Sequence, residues 1–573
     1  MFFCLFGFLQ SCEMLKYINL KSSLKFFETP DFTKIPILEK LVLEDCINLR
    51  EIHPSVGVHK KLTLLNLKGC KNLRSLSRKF ETESLEILIL SKCSNLNRIP
   101  EFGENMEHVL ELYLDGTAIT KLPTSIGHLI CLALLNVRDC KNLMSLPSTF
   151  FSMKSLKDLN LSGYSKLLEN LWNAKSVEEL DVSGTIIRQM PSTNARFKTF
   201  KKIAFSGFQL RPSMLRNSDP MALLSSSLFG FCSLTSLKLI YCNLKTIPSD
   251  IGCLFSLEEL YLSGNNFDCL PESIAQLPML KYLGVVNCKN LRLLPELPLS
   301  IGLICGSGCS SLETMPNLLK PNFSCEPELV LLNCSKLVDN QNIIDAFFAV
   351  IRKSPQVSLS LSLSPSSEHH SLYISGFSTD FKDYRHESFC PGSEIPEWFS
   401  HQCAGAKVYI NEPFSNLFNE WIGIAFCVVF CSLPHHQIHK NDNRLLCLMK
   451  ANGKVLSPIA DICDIGLTAL SDHIWLLYFL RQLYAEGDIS ELLECDASGL
   501  SRIGVEFEAR YTGLEVKKCG FRIVYKKDIE DLNRTMAQCS SNNNNDIIPY
   551  EGLDVPYHNF NNSTVVVEGN KMD

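Results

Sequence analysis

Residues 62–70 read LTLLNLKGC and contain a spacing of apolar residues that recurs along the chain. Leu62, Leu65 and Leu67 follow one another at steps of three and two residues, and Cys70 comes three residues later. The same frame is found at Leu38/Leu41/Leu43/Cys46, Leu85/Leu88/Leu90/Cys93, Leu132/Leu135/Val137/Cys140, Leu257/Leu260/Leu262/Asn265 and Leu280/Leu283/Val285/Cys288. Its first apolar position falls at residues 15, 38, 62, 85, 109, 132, 156, 177, 200, 234, 257, 280 and 301. This regularity predicts thirteen copies of one structural unit.

The frame is that of a leucine-rich repeat. In each copy the three apolar side chains point inward from a short strand and stack on the equivalent side chains of the neighbouring coil. The Cys, Asn or Thr at the fourth position is expected to turn the backbone and to bond its unpaired groups. We therefore predict an α/β leucine-rich-repeat solenoid over residues 15–320, with short parallel strands on its concave face.

Prolines mark the opposite, convex side of the predicted solenoid. In the pieces KLPTSIG (121–127), TIPSDIG (246–252) and CLPESIA (269–275), a proline stands where a short helical turn begins, which suits its fixed φ. One long step, from Phe200 to Leu234, holds an insertion around residues 211–227. Such an insertion either binds a partner or is an idle loop, and the sequence favours neither.

The composition limits the class of protein. The chain has 573 residues, which predicts two or three units, and a formal net charge of -6 with no Lys/Arg run that would indicate a nucleic-acid partner. Its longest apolar run, residues 421–433, is shorter than the roughly 20 residues that span a membrane. Residues 1–14 are apolar but lack a basic start and a cleavage site, so we interpret them as the remnant of an earlier repeat or as an irregular start of the chain.

The 25 cysteines are interpreted mainly as reduced thiols. Seven of them occupy the fourth position of the frame: Cys46, Cys70, Cys93, Cys140, Cys242, Cys288 and Cys309. They recur at one per coil along a buried ladder, and a small buried thiol is the ordinary state of a free cysteine. This use of cysteine favours a reducing compartment.

The pattern changes over residues 321–389. Residues 333–353 have apolar positions at Ile343, Ile344, Phe347, Phe348 and Ile351, which predicts an amphipathic helix that closes the open end of the solenoid. A Ser-rich stretch at 354–370 follows and predicts a mobile linker.

Short apolar runs separated by turns fill residues 390–530. They are KVYI (407–410), WIGIAFCVVF (421–430), HIWLLYF (473–479), GVEFEAR (504–510) and VKKCGFRIVY (516–525). Several strands without long helices predict an all-β sandwich. Residues 531–573, with four consecutive asparagines at 542–545, predict a disordered tail.

Two features together resemble one family of proteins. The pieces TPDFTKIPILEKLVLEDCINLREIHPSVG (29–57) and LLNLKGCKNL (64–73) resemble the repeats of plant intracellular immune receptors of the TIR/NB-ARC/leucine-rich-repeat class. The motif CPGSEIPEWFSHQ (390–402), with the strands downstream of it, resembles the C-terminal jelly-roll/Ig-like (C-JID) domain of that class. No GxxxxGK[ST] phosphate loop occurs, and the residues upstream of Met14 are too few for a TIR domain. We therefore expect the TIR and nucleotide-binding modules of the class to be missing and do not carry their activities over.

No residues point to catalysis, to a cofactor or to a metal. The sequence has no GxSxG elbow, HExxH helix or CxxC pair. The best metal candidate is the segment CSLPHHQIH, with Cys431, His435, His436 and His439. We interpret this segment as a polar loop that follows a strand and not as a metal site. The pair Glu394 and Glu397 lacks a nucleophile or an activated water, so a rigid turn with Trp398 packed beneath it is preferred to a carboxylate pair.

The concave face is the better candidate for a binding site. Side chains alternate along a strand, so the residues two, four and six positions after each first apolar residue face outward. The ligand-binding candidates are Tyr17, Lys40, Glu44, Lys68, Tyr113, Asp115, Arg138, Asp158, Glu179, Lys202, Lys238, Glu259, Tyr261 and Tyr282. The C-terminal motif contributes Pro391, Gly392, Glu394, Ile395, Pro396, Trp398 and Phe399. Mixed aromatic and charged side chains on one curved surface are typical of recognition.

We therefore expect a non-enzymatic protein-recognition module. By resemblance, its partner is a pathogen effector or a guarded host protein, sensed in plant defence, with a full-length receptor of the same class as a further partner. No nucleic acid and no membrane span are expected, and the location is cytoplasmic, with the nucleus as a second compartment. The alternative is an extracellular leucine-rich-repeat receptor or a secreted decoy, which would need a cleavable signal and paired cysteines.

Overall fold

The computed structural model describes residues 13–164, 174–185, 199–207, 228–319, 327–337, 340–360, 385–413, 421–432, 444–456, 460–463, 471–484, 490, 494–510 and 514–542. The predicted N-terminal remnant, apart from its last two residues, the insertion at 211–227 and the three histidines of CSLPHHQIH lie outside this set. The chain divides into two compact units, Met1–Tyr525 and Lys526–Asp573.

Short strands repeat along the first part of the chain. They are β1 (Tyr17–Asn19), β2 (Lys40–Val42), β3 (Leu64–Asn66), β4 (Lys79–Phe80), β5 (Ile87–Ile89), β6 (Glu101–Phe102), β7 (Glu111–Tyr113), β8 (Leu134–Asn136), β9 (Asp158–Asn160), β10 (Glu179–Asp181), β11 (Lys202–Ser206), β12 (Ser236–Ile240), β13 (Glu259–Tyr261), β14 (Tyr282–Gly284), β15 (Leu303–Cys305) and β16 (Glu328–Val330). Apart from β4 and β6, which pair with each other, each strand pairs in parallel with the next along the chain. The predicted solenoid with its concave parallel sheet is confirmed.

A strand begins two residues after every one of the thirteen predicted first apolar positions. The three apolar residues of the frame are buried, as Leu62, Leu65 and Leu67 show with exposed fractions of 1% or less. One further strand, β16, lies beyond residue 320 and carries the ladder past the predicted limit. The stacked coils thereby bury a face that no single coil could bury alone.

The fourth position of the frame bonds the neighbouring coil. The thiol of Cys70 donates to the carbonyl oxygen of Leu43 at 3.1 Å, and the amide of Asn265 donates to the carbonyl oxygens of Leu239 and Leu262 at 2.7 Å each. These bonds satisfy carbonyl groups near the ends of the short strands.

The backbone turn lies one residue earlier than predicted. The left-handed residue is the one that precedes the fourth position, as in Asp45 (φ 56°), Gly69 (φ 74°) and Lys92 (φ 61°). Asp and Gly tolerate this conformation, so the turn is formed by the preceding residue while the fourth one supplies the hydrogen bond.

The convex side carries short 3-10 helices. They are Pro54–Val58, Thr124–His128, Ser148–Ser152, Leu228–Gly230, Ser249–Cys253 and Glu272–Gln276. Pro123, Pro248 and Pro271 stand directly before three of them with φ between -67° and -70°. The predicted role of these prolines is confirmed.

The C-terminal region adds helix α1 (Gln341–Ser360) and ten strands. These are β17 (Arg385–Pro391), β18 (His401–Ala404), β19 (Lys407–Pro413), β20 (Trp421–Ser432), β21 (Arg444–Ala451), β22 (Lys454–Val455), β23 (Ala460–Cys463), β24 (His473–Leu480), β25 (Leu500–Arg510) and β26 (Leu514–Tyr525). One antiparallel sheet has the order β17-β24-β20-β26-β18, and a second has the order β19-β25-β21 with β22 and β23 both paired to β21. Side chains from both sheets form one hydrophobic core, so the predicted sandwich is confirmed.

The structure departs from the predicted limits of several elements. Helix α1 begins at Gln341 and runs through Ser360, into the predicted linker, and β17 begins at Arg385. A second helix, α2 (Lys526–Asn542), occupies the start of the predicted tail. Neither helix of the described residues combines the length and the apolar character that crossing a membrane requires.

The repeats and the sandwich share one sheet. Strand β16 of the last described coil pairs in parallel with β17, with Leu329 opposite Ser388 and Val330 opposite Phe389. Strand β17 then pairs antiparallel with β24. The solenoid ladder therefore continues directly into the first sheet of the sandwich.

Candidate recognition surface

The concave face is formed by the outward side chains of the parallel strands. Tyr17 is 52% exposed, and Lys40, Lys68 and Arg138 are also exposed. The predicted residues that are half-buried in the surface are Glu44, Tyr113, Asp115, Asp158, Glu179, Lys202, Lys238 and Glu259. All of these side chains are at least partly exposed on the concave face, which we call the groove. A partner bound in the groove can therefore contact them.

The N-terminal coils carry charges of both signs. The ammonium groups of Lys21 and Lys68 lie 3.3 and 3.6 Å from the carboxylate of Glu44. Both lysines are exposed while Glu44 is half-buried, and ion pairs with such exposed partners contribute little to stability, on the order of 0–1 kcal/mol. Their charges therefore remain available to a partner.

The central coils are acidic. The hydroxyl of Tyr113 donates to Glu111 at 2.9 Å, and burial together with this carboxylate raises the pKa of Tyr113 to about 12. Burial, followed by the nearby charge of Glu179, raises the pKa of Asp158 to about 6. Lys202 lies 2.7 Å from Glu179 and partly offsets this repulsion. The centre of the groove thus holds more carboxylates than cations. A positively charged partner would reduce the repulsion between these carboxylates.

Tyr261 and Tyr282 lie on the concave sheet, but each is only 7% exposed. Their ring centroids lie 4.6 Å apart with the ring planes tilted by 39°, and the ammonium of Lys238 lies 4.9 Å from the Tyr261 ring centre. Gly284 leaves room for this arrangement, because a Cβ there would lie 2.8 Å from the Tyr282 hydroxyl oxygen. The two rings therefore pack along the sheet and offer a partner much less surface than the alternation rule suggested.

The second sheet of the sandwich covers the C-terminal end of the concave face. Val330 faces the groove, whereas its register partner Phe389 stacks on Trp475 at 5.5 Å within the core between the two sheets. Residues in register on neighbouring strands lie on the same face of a sheet, so Val330 and Phe389 share a face. The groove ends here, because the second sheet covers this face at Phe389. The sandwich therefore forms the C-terminal boundary of the groove.

The motif at residues 391–399 packs against strand β26. Ile395 and Phe399 lie over Gly520, where a Cβ would come within 2.9 Å of the Ile395 side chain. The guanidinium of Arg522 lies 4.6 Å from the Trp398 ring centre and donates to the Trp398 carbonyl at 2.6 Å. The turn is thus held by packing, as predicted for Trp398.

Other contacts of the motif reach α1 and the edge of the sheet. Glu394 is exposed and pairs with Lys518 at 2.6 Å. The amide of Asn340 donates to the Pro391 carbonyl at 2.9 Å, and the ring of Phe348 lies 5.0 Å from that of Trp398. The motif therefore connects helix α1 to the sandwich. That this helix closes the solenoid stays a prediction, since the last described strand of the ladder pairs with β17.

Comparison with known proteins agrees with this architecture. A family model of the C-JID domain matches residues 390–530, and a model of RPS4B-like disease resistance protein leucine-rich repeats matches residues 81–190. The chain carries the leucine-rich repeats and the C-JID domain of plant disease resistance proteins. The resemblance of both regions to that class is thereby confirmed.

Individual relatives are longer than this chain. TMV resistance protein N of Nicotiana glutinosa is 31% identical over 72% of this chain and 34% of its own length. Disease resistance-like protein DSC1 of Arabidopsis thaliana is 35% identical over 73% of this chain and 33% of its own length. Among solved structures, a leucine-rich-repeat protein of Leptospira interrogans is 20% identical, with a TM-score of 0.37 over 58% of this chain and 84% of that one. The chain spans about a third of the length of these two relatives.

Sequence reasoning missed the residues that join the C-JID domain to the repeats. His473 is fully buried, and its Nε2 accepts the backbone N–H of Asn333 in the last described coil at 2.8 Å while its Nδ1 donates to the Ser471 carbonyl. Nothing in the local pattern of HIWLLYF singles out this role. Gly520 was detectable, because a glycine inside a strand often marks a close approach of another segment.

The described residues contain no group of three or more His, Cys, Asp or Glu side chains that could hold a metal ion. The cysteines of the frame are unbridged, and all are buried except Cys242, which is half-buried. Burial raises the pKa of Cys93 to about 12 and that of Cys242 to about 11. Such thiols stay protonated and act as hydrogen-bond donors.

Proposed function

We propose that this chain recognises a protein ligand in the groove formed by the concave face and the adjoining C-JID domain, and that it acts in plant disease resistance. The observation that supports this most is the shared sheet. Because β16 pairs with β17, the groove and the C-JID domain present one continuous boundary to a partner. The relatives named above are disease resistance proteins, which supports the same role.

The ligand in this proposal is a pathogen effector or a guarded host protein. Binding has no catalytic step. It changes the state of a nucleotide-switch module that belongs to a full-length receptor of the same class, in the cytoplasm and also in the nucleus. The charged and half-buried residues of the groove support a protein ligand over a small apolar one, since their side chains spread over many coils.

The test compares the intact chain with a groove variant in which Asp158→Lys and Glu179→Lys reverse two central charges. The control carries the same change at Glu104 and Glu107, which are exposed and lie outside the concave strands. Each protein is immobilised, incubated with extracts of infected and healthy plant tissue, and the captured proteins are identified by mass spectrometry.

We expect a specific partner on the intact chain and on the control, and its loss on the groove variant. If a partner still bound the groove variant, the binding site would have to lie outside the central coils. The absence of any specific partner from both tissues would contradict a recognition function.

A further inference from the structure

Strand β18 places one cysteine directly opposite another. Cys403 of β18 is in register with Cys519 of β26 in an antiparallel pair. Cys403 is exposed and its thiol donates to the Ala404 carbonyl at 3.3 Å, whereas Cys519 is fully buried in the core between the sheets. The two thiols therefore lie on one face of the sheet at its edge.

The hydrogen bonding of the two strands sets the distance between these residues. The N–H of Gly405 donates to the carbonyl of Lys517 at 2.7 Å, two residues further along the same register. Hydrogen-bonded and non-hydrogen-bonded pairs alternate, so Cys403 and Cys519 also form a hydrogen-bonded pair with Cα atoms about 5.5 Å apart. This separation lies within the roughly 4.4–6.8 Å that a disulfide spans.

Strand β18 is short and lies at the edge of its sheet. It covers His401–Ala404, and within the described part of the chain it pairs with β26 alone. The Cβ atoms of a hydrogen-bonded pair lie about 5.5 Å apart, against roughly 3.5–4.5 Å in a disulfide, so this edge strand must move by about 1 Å for the bond to form. The exposed Cys403 is open to an oxidant in solution.

We propose that Cys403 and Cys519 are a redox-active pair that a peroxide converts into a disulfide. The Cys403 thiolate attacks hydrogen peroxide, the O–O bond breaks, and Cys403 becomes a sulfenic acid while hydroxide leaves. The Cys519 thiolate then attacks the Cys403 sulfur, the S–O bond breaks, and a second hydroxide leaves. The two thiol protons combine with the hydroxides, so two thiols and one peroxide give one disulfide and two waters.

The order of the two steps follows from exposure. Burial raises the pKa of Cys519 to about 12, so its thiolate is scarce near neutral pH. The rate of the second step should therefore rise with pH between 7 and 9, in proportion to the thiolate fraction of Cys519.

The cross-link acts on the motif of the C-JID domain. The side-chain amide of Gln402, next to Cys403, donates to the carbonyls of Pro396 and Phe399 at 3.2 and 3.0 Å. A disulfide that fixes β18 on β26 therefore also holds this turn in place. We expect oxidation to reduce the motion of the turn.

The test treats the full chain with hydrogen peroxide at pH 7, 8 and 9, blocks free thiols with N-ethylmaleimide, and maps linked peptides by mass spectrometry without reduction. We expect a Cys403–Cys519 peptide at least tenfold above the untreated chain, and faster formation at higher pH. Hydrogen exchange over His401–Ala404 should be slower in the oxidised chain.

Three variants define the outcome. Cys519→Ala should abolish the linked peptide and let dimedone trap the sulfenic acid on Cys403, and Cys403→Ser should abolish both products. Cys495→Ser, at an exposed cysteine of the same domain, should behave as the wild type. Circular dichroism verifies that each variant is folded. Over-oxidation of Cys403 without any link to Cys519 at all three pH values, or a link to another cysteine, would overturn the proposal.

Discussion

Acidification from pH 7 to pH 5 is expected to destabilise the C-JID domain through His386. This residue lies on β17, opposite Tyr478, and its ring lies 6.0 Å from that of Phe347 on α1. Its exposed fraction is 9%, and burial lowers its pKa from 6.5 to about 4. The neutral ring is therefore retained in the folded state at a pH where an unfolded histidine is already charged.

The sign and the size of the effect follow from this difference. The folded pKa is depressed, so the stability is fully present above about pH 6.5 and is lost as the pH falls towards 4. At pH 5 the unfolded histidine is almost fully protonated whereas the folded one is almost entirely neutral, and integration of this difference from pH 7 to pH 5 gives a cost of about 2 kcal/mol. Burial also lowers the pKa of His473, so its contribution has the same sign.

The assay is urea unfolding followed by tryptophan fluorescence. Of the four tryptophans, Trp398, Trp421 and Trp475 belong to the C-JID domain, so the signal reports mainly on this domain. The variant His386→Phe keeps an aromatic ring and removes the titrating group. Its loss of stability between pH 7 and pH 5 should be smaller than that of the wild type by about 2 kcal/mol.

A change from pH 8 to pH 7 serves as the control, because neither folded nor unfolded His386 binds much of a proton in that interval. If the wild type and His386→Phe lost the same stability between pH 7 and pH 5, the buried neutral histidine would not be the cause. The reasoning from burial to pH dependence would then be refuted.

Three further predictions concern the repeats and the thiols. Leu67→Asp should lower the free energy of unfolding by more than about 3 kcal/mol, because Leu67 is fully buried and a lone charge there has no partner; an unchanged thermal melting curve would contradict the assigned frame. Asn265→Ala removes the side-chain donor to the Leu239 and Leu262 carbonyls and the acceptor of the Leu244 N–H, and should cost about 2–3 kcal/mol in urea unfolding. Asn266→Ala, at an exposed neighbour, should cost less than about 1 kcal/mol, and equal losses would exclude the ladder role of Asn265. A thiol count under denaturing, non-reducing conditions should recover nearly all 25 cysteines, and a low count would favour the secreted alternative.

The repeat region was largely predictable because its constraint is local and recurrent. Each coil must place apolar side chains at the same three positions to stack on its neighbours, so a frame such as Leu62, Leu65 and Leu67 reports directly on buried positions. The last coil was missed because the first position of its frame, two residues before β16, is Glu326 and not an apolar residue. Five strands of the sandwich were predicted from apolar runs, whereas β21 was not, although it is central in its sheet.

The candidate site was only partly predictable. Alternation along a strand assigns side chains to the concave face, and Tyr17 and Arg138 are exposed there. It does not determine how a side chain packs on that face. Tyr261 and Tyr282 pack against each other with tilted rings because Gly284 leaves space beside them, and this depends on residues in neighbouring coils.

The sequence by itself determined the repeat, its buried frame, the prolines of the convex side and the presence of a second, all-β region. These features depend on side-chain spacing within one coil or one strand. Only the tertiary structure decided how the two regions join, since β16 and β17 lie more than fifty residues apart and pair through backbone groups that carry no side-chain signal. The same pairing places the second sheet over the end of the groove, so the shape of the recognition surface depends on contacts between distant segments.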